Sequence, residues 1–399
     1  MRILLSEGSG LTSRQVAGQL GSLGHGVEIL SSSRFCLTRF TRHVQAVHSV
    51  PRFGLDPFGW LAAAERIARE RKSDLLFPTQ EQVTVLSARQ KNLRVATIVP
   101  PFASLARVQD KISAFRTLKA IGAPQPQTFV ICSADDLQDI ATYPIFIKRP
   151  VSTASSGVRR ATNAEELAVA ARELGLGQSE LIAQSQASGH LAMVQAVADS
   201  GRLVAYHACL RLREGVGGGA SLKESIVLPG LADLLGRIIA ALDWHGALSM
   251  DLIVSDCGPV IIDVNPRLVE PANALAAGVD LVAAMLDVAG DATAQERSSG
   301  AAGVRTRQTL LAILGTAEQQ GARGAILREA FDAIFAQGDY ASSIEELTPV
   351  AGDPVAAIPV VAALVASLIH PPLWRKFHAG AVGPYAVTPE AWEAIIAAA

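Results

Sequence analysis

Cysteine is scarce in this sequence, and the way it is scattered excludes two kinds of scaffold. The four cysteines, Cys36, Cys132, Cys209 and Cys257, lie far apart with no CxxC pair, so neither a zinc-bound nor a disulfide-stapled fold is indicated and a reduced, cytoplasmic setting fits. No charge of one sign dominates: 35 Lys plus Arg against 37 Asp plus Glu leave −2. That balance excludes a polybasic nucleic-acid binder and an acidic solvating tail. A long hydrophobic run is missing as well. The most apolar uncharged stretch, residues 355–369, is interrupted by Pro359, whereas a membrane-spanning helix needs about 20 apolar residues. It reads as a buried helix, with a membrane-surface or partner-binding helix as the alternative because Trp374, Arg375, Lys376 and Phe377 follow it. The opening MRILLSEGSG is too short in apolar residues for a signal peptide. No GxxxxGK[ST] phosphate loop occurs, and Gly8 and Gly10 form a lone GxG with Ser13 in the place of a third glycine. That fragment reads as a tight turn rather than a dinucleotide site.

What the chain does contain is apolar mass. With 49% hydrophobic and 18% charged residues it can bury large cores, and its length suggests two to four domains. Residues 3–5, 12–23, 27–30, 61–71 and 74–77 alternate strand, helix, strand, helix, strand, the pattern of an open parallel sheet with helices on its faces. A second unit begins near Ala106. It has a helix over 109–121 closed by Gly122, a strand over 143–150, the loop VSTASSG over 151–157, a helix over 164–174 and a strand over 180–184. Strands over 193–198 and 203–213, a Gly-rich loop, a helix over 231–242 and a hairpin over 249–265 complete it. Beyond about Gly290 the sequence is Ala-rich and reads as mostly helical.

The hairpin, MDLIVSDCGPVIIDVNPR, is the most informative stretch. A turn centred on Cys257 sets Asp251 opposite Asp263. In that register Leu252, Val254, Val260, Ile262 and Val264 share an apolar face while Asp251, Asp263 and Asn265 share the other. Two carboxylates facing across a ladder repel each other and call for a cation. Oxygen ligands with room for water and phosphate suit Mg²⁺ (or Mn²⁺); the alternative is that one Asp simply faces solvent. Arg267 follows within reach of the same cluster. Lys148 lies in a hydrophobic strand, where an unpaired ammonium is costly to bury, so it calls for an anion. The loop after it carries Ser152, Thr153, Ser155, Ser156 and Gly157 and can wrap phosphates with N–H and O–H donors, or serve as a solvated linker. Along residues 206–213 a two-residue period puts His207, Cys209, Arg211 and Arg213 on one face, before the Gly-rich EGVGGGAS. Arginine's rigid fork suits carboxylate and phosphate oxygens; surface salt bridges are the plainer reading.

The order of these features resembles the ATP-grasp superfamily over about residues 106–290: Asp110 and Lys111 in a helix, Lys148 in a strand before a Ser/Gly loop, a strand ending in Gln184, and a closing D-x-N-P-R at residues 263–267. The 12-residue step from Asp251 to Asp263 and the NPR triplet are similar to the carbamoyl-phosphate synthetase and biotin carboxylase branch. The resemblance implies an α/β and α+β architecture. Its parts are an N-terminal Rossmann-like pre-ATP-grasp domain over 1–105, a two-lobed ATP-grasp core over 106–290 with a lid subdomain at about 130–185, and a mostly helical extension over 291–399.

The same resemblance implies that Lys111 and Lys148 contact ATP phosphates, that Ser155, Ser156 and Gly157 form a phosphate lid, and that the segment from Gln184 to Ala187 holds the adenine edge. It implies that Asp251, Asp263 and Asn265 bind Mg²⁺, and that Arg267 and one of Arg211 or Arg213 hold the transferred phosphoryl group or a carboxylate substrate. Three positions depart from the pattern: Asp263 stands where glutamate is commoner, Gln184 replaces a hinge glutamate, and Leu191 stands where many relatives carry a ribose-binding acid, with His190 beside it. The activity so implied is an ATP-dependent carboxylate–amine ligase that activates an acid as its acyl phosphate, acting on small-molecule carboxylate and amine substrates, and a homodimer is allowed. A small-molecule kinase and a non-catalytic ATP-binding regulator are the alternatives. Arg305 and Arg307 are expected to cap surface acids rather than reach the site.

Overall fold

A computed structural model describes residues 1–153, 157–290 and 300–399. The first sheet is built from β1 (Arg2–Leu5), β2 (Gly26–Ser31), β3 (Val44–Ser49), β4 (Leu75–Phe77) and β5 (Ala96–Thr97), all parallel, in the order β3-β2-β1-β4-β5. The two-residue period of a strand sends neighbouring side chains of β1 into different cores. Ile3 and Leu5 join Val16, Ala17 and Leu20 of the helix Leu11–Ser22, while Leu4 joins Trp60, Leu61 and Ala64 of the helix Pro57–Arg71. A parallel sheet covered on both faces needs such uninterrupted apolar strands. The strand order reverses between β1 and β4, so the crevice at their carboxyl ends is where an open α/β sheet takes ligands. Residues 6–10 and 78–82 lie at that crevice.

Two further sheets follow. The strands β6 (Thr128–Ile131), β7 (Ile145–Lys148), β8 (Val158–Ala161) and β9 (Leu181–Ser185) form an antiparallel sheet in the order β6-β9-β7-β8. The larger one is built from β10 (His190–Asp199), β11 (Arg202–Glu214), β12 (Ala220–Ile226), β13 (Gly246–Ser255), β14 (Gly258–Asn265), β15 (Arg305–Arg307) and β16 (Ile344–Glu345), in the order β14-β13-β10-β11-β12-β15-β16. The helix Leu231–Leu242 occupies the bounds expected of it and lays Leu231, Leu234, Leu235, Ile238, Ile239 and Leu242 on this sheet. That is an apolar stripe at helical spacing, each side chain worth roughly 1.5–3 kcal/mol when fully buried.

Two expectations need correction, and a third gains detail. The helix expected over 109–121 is two helices, Phe102–Gln109 and Lys111–Ile121, broken at Asp110, whose extended backbone (φ −97, ψ 149) and carboxylate cap the second by accepting from Ser113 N at 2.8 Å. The region after residue 300 is mostly helical, as expected, and it also supplies β15 and β16 to the large sheet, while its last helix, Pro389–Ala397, inserts Trp392 and Ile395 into the first domain's core. The stretch 355–369 does contain a helix, Ala357–Ile369, but only one side is buried. Pro359, Val360, Ala363 and Ser367 face inward, and Ile358, Val361, Val365 and Ile369 are exposed. Among the described residues no helix is long and apolar enough to cross a membrane.

Candidate functional site

A cavity of about 1090 Å³ is lined by the two later sheets, by loops and a helix start at the edge of the first sheet, and by the C-terminal helices. The hairpin β13–β14 supplies its acidic floor. Asp251 and Asp263 are partners across the ladder, as are Ser249 and Asn265, but the register slips by one between Asp251 and Leu252. Ile262 is the extra residue of this β-bulge, which locally re-aims side chains. The bulge overturns the expected face pattern beyond it: Ile261, not Ile262, enters the core beside Leu252 and Val264, and Ile262 lines the cavity.

The bulge also frees the Ile262 carbonyl to accept from Lys148 Nζ at 2.9 Å, a bond that joins the two antiparallel sheets. Lys148 donates a second bond to Gln184 Oε1, also at 2.9 Å. Burial drives its pKa down, the nearby Asp263 pulls it back up, and Lys111 pushes it down again. Lys111, at the positive end of its helix, reaches Asp263 Oδ1 at 3.7 Å and donates to the Ser152 carbonyl at 3.4 Å. Asp251 is raised from 3.8 to about 7 by burial and by Asp263, against the pull of Lys148, Arg267 and Arg211. An acid held this far above its range is stabilised by a further cation. Two carboxylates and the Asn265 amide form an oxygen-rich set suited to Mg²⁺ with its remaining positions open to water and phosphate. Among the described residues no group of three or more His, Cys, Asp or Glu could hold a metal ion, so the fit rests on this pair and its amide.

The other expected residues divide. Gln184, Ala187, Lys111, Lys148, Arg211, Arg267, Asp251, Asp263 and Asn265 all line the cavity. Gln184 also orients Lys148 through its side chain, a role additional to the expected backbone contacts. Leu191 lines the cavity and His190 does not. Ser155 and Ser156 lie outside the described residues. Gly157 is buried, and a Cβ there would sit 2.5 Å from Ser152 Cβ, so the loop closes on itself only with glycine at that point.

Arg213 requires correction. Leu212 is an extra residue between the pairs Arg211–Lys223 and Arg213–Leu222, and the bulge separates two side chains that strict alternation would have kept together. Arg211 lines the cavity and donates to the Gly218 carbonyl. Arg213 turns to Glu329 at 3.0 Å and to Asp339, with its guanidinium 5.4 Å from the Tyr340 ring centroid. It is an anchor for the C-terminal helices. Arg305 and Arg307 likewise serve structure, donating to backbone carbonyls of residues 339–343 and 333.

Residues outside the motifs support the cavity lining. Arg267 Nε is 3.3 Å from Glu81 of the first domain. Lys223, buried on β12, is clasped by Glu270 at 2.5 Å and Glu346 at 2.6 Å. Burial alone would lower its pKa, but the two acids overrule it and hold it above the ordinary range. Gln308 donates to both acids. From the first domain, Ser9 and Gln80 line the cavity, and the buried Gln80 side-chain oxygen has no hydrogen-bond partner among the described residues. Lys223 could have been suspected from its place inside a strand and Glu270 from its place three residues after Arg267. Glu81 and Glu346 left no signal.

A strand lysine from the smaller sheet and a helix-terminal lysine, set against paired acids on the larger sheet, define a nucleotide-binding class. Residues 108–271 match the family model of the ATP-grasp domain, and this chain carries an ATP-grasp domain. Its fold is that of biotin carboxylase from Campylobacter jejuni (TM-score 0.62, 17% identity, 76% of this chain and 74% of that one). It is equally similar to N5-carboxyaminoimidazole synthetase from Staphylococcus aureus, solved with ADP (TM-score 0.62, 13% identity, 79% and 85%). The N5-carboxyaminoimidazole ribonucleotide synthetase from Thermus thermophilus gives a TM-score of 0.58 at 20% identity, over 76% and 81%. No curated protein matches the sequence.

Proposed function

We propose that this protein is an ATP-dependent carboxylate–amine ligase with Mg²⁺ as its cofactor. The observation that carries the reading is Asp251 facing Asp263 on the floor of a cavity that is also lined by Lys148 from the smaller antiparallel sheet and by Lys111 from a helix N-terminus. In the proposed reaction a carboxylate oxygen attacks the γ-phosphorus of ATP and ADP leaves. An amine then attacks the acyl carbon of the resulting acyl phosphate, expels inorganic phosphate and gives up a proton. Mg²⁺ held by Asp251, Asp263 and Asn265 would neutralise phosphate oxygens. Lys148 and Lys111 hold fixed positive charge where negative charge develops, so little reorganisation is needed at the moment of reaction. Arg211 and Arg267 orient the acid. The segment from Gln184 to Ala187 borders the nucleotide's base, and the Gly-rich loop over 214–221 excludes water from the acyl phosphate.

Similarity of fold to biotin carboxylase and to the N5-carboxyaminoimidazole synthetases supports a ligase over a hydroxyl kinase or a catalytically silent nucleotide binder. Mixing the protein with Mg²⁺, ATP and panels of carboxylic acids and amines should release ADP and inorganic phosphate, with a product mass equal to acid plus amine minus water. A phosphorylated product would establish a kinase instead, and ATP binding without ADP release under any pairing would establish a regulator.

A further inference from the structure

One wall of the cavity is made by elements that the phosphate end does not use. Leu37 of the first domain and Leu310, Leu311, Leu314 and Phe377 of the C-terminal helices line it, and all five belong to one apolar cluster that also holds Val216 of the Gly-rich loop. The helix Ala357–Ile369 adds Ile358, Pro359 and Ala362. Its charged neighbour Lys376 is exposed at the rim. The polar groups that can orient a substrate, Arg211, Arg267 and Glu270, line the same cavity from the large sheet and the loop after it.

Sites that take one drug-sized ligand span roughly 300–1,000 Å³, with mostly apolar walls and a few polar groups that fix orientation. At about 1090 Å³ this cavity has room for a nucleotide and a second body. A one- or two-carbon acid would leave the apolar wall with nothing to hold.

We infer that the carboxylate substrate carries a bulky apolar body, its acid group directed to Arg211 and Arg267 and its body packed against the wall formed by Leu37, Leu311, Leu314, Phe377 and Ala362. This rests on the ligase reading above for the fate of the acid, but not for the existence of the apolar site. The C-terminal helices are then the specificity element of the enzyme, and the ATP-grasp core supplies the chemistry.

The test compares 4-phenylbutyrate with acetate. ADP release with hydroxylamine as the nucleophile should favour 4-phenylbutyrate by about 100-fold or more in kcat/KM, because even one buried methylene is worth roughly 10-fold or more. Calorimetry with Mg²⁺ and ADP present should show 4-phenylbutyrate binding and acetate not. Ala362 is exposed on its helix, so Ala362→Trp fills the wall without disturbing a core and should cut the 4-phenylbutyrate preference at least tenfold; Ala362→Leu should have a smaller effect in the same direction. Equal use of acetate, absence of 4-phenylbutyrate binding, or a proportional effect of Ala362→Trp on both acids would overturn the inference. Binding of 4-phenylbutyrate without ADP release would sustain the apolar site and sink the ligase reading; ADP release with acetate but no 4-phenylbutyrate binding would do the reverse.

Discussion

Replacing Asp251 by asparagine separates what this residue costs the fold from what it contributes to the site. Its carboxyl is raised from 3.8 to about 7, a displacement of about three pH units, and at 1.36 kcal/mol per unit the folded state carries a penalty of up to about 4 kcal/mol for keeping it ionised. The unfolded chain releases this proton near pH 4 and the folded chain near pH 7. Between those values the folded state binds more protons, so stability falls as pH rises through the window and stays low above it. Asparagine has no proton to lose. Because Asp251 opens onto the cavity, water shares part of its charge, and a gain of about 1–3 kcal/mol is expected above pH 7, with none near pH 4. Thermal unfolding in EDTA from pH 5 to pH 8 reads this directly, as a Tm several degrees higher for Asp251→Asn at pH 8. Mg²⁺ should reverse the order by stabilising the wild type and leaving the variant unchanged, and ATP turnover in the variant should fall by about 10²-fold or more. A variant less stable than wild type at pH 8 in EDTA, or one that Mg²⁺ stabilises equally, would refute the reasoning.

Three other substitutions test other parts of the site. Lys148→Met removes the charge facing the acidic pair and leaves Gln184 Oε1 and the Ile262 carbonyl without their donor; ADP release should drop roughly 10²–10³-fold, and a near-normal rate would remove Lys148 from the chemistry. Lys223→Met strands Glu270 and Glu346 as buried acids without their cation and should cost about 3–5 kcal/mol in denaturant unfolding at neutral pH; a loss under about 1 kcal/mol would show that the clasp is not a buried charge cluster. Arg213→Ala should leave ADP release unchanged and lower stability by about 1–2 kcal/mol, since Asp339 is open to solvent while Glu329 is largely buried and loses a charged partner; a large loss of turnover would return Arg213 to the site.

Local patterns were legible wherever chemistry is close in sequence. The apolar spacing of residues 231–242 defined a helix to the residue, and Gly258 with Pro259 marked the hairpin; its turn centres between Asp256 and Cys257 rather than on Cys257, and the bulge at Ile262 restores Asp251 opposite Asp263. Lys148 could be singled out because an ammonium in an apolar strand requires a partner wherever that strand is placed. The errors arose where a strand changes phase. Alternation predicts faces only while one residue opposes one, and the two bulges, at Ile262 and Leu212, broke that count and exchanged which side chains reach the cavity.

Sequence alone therefore determined the kinds of group available and the elements that hold them: an acidic hairpin, a strand lysine, a glycine-dependent loop and a parallel-sheet first domain, all governed by periodicities of two and 3.6 residues. Only the tertiary structure decided that Lys223 is gripped by Glu270 and Glu346, 47 and 123 residues away, that Arg267 meets Glu81 across 186 residues, and that helices near the C-terminus wall the cavity. Those pairings depend on how separate layers pack, and packing energy is shared among many interchangeable apolar residues, so no short stretch of chain specifies it.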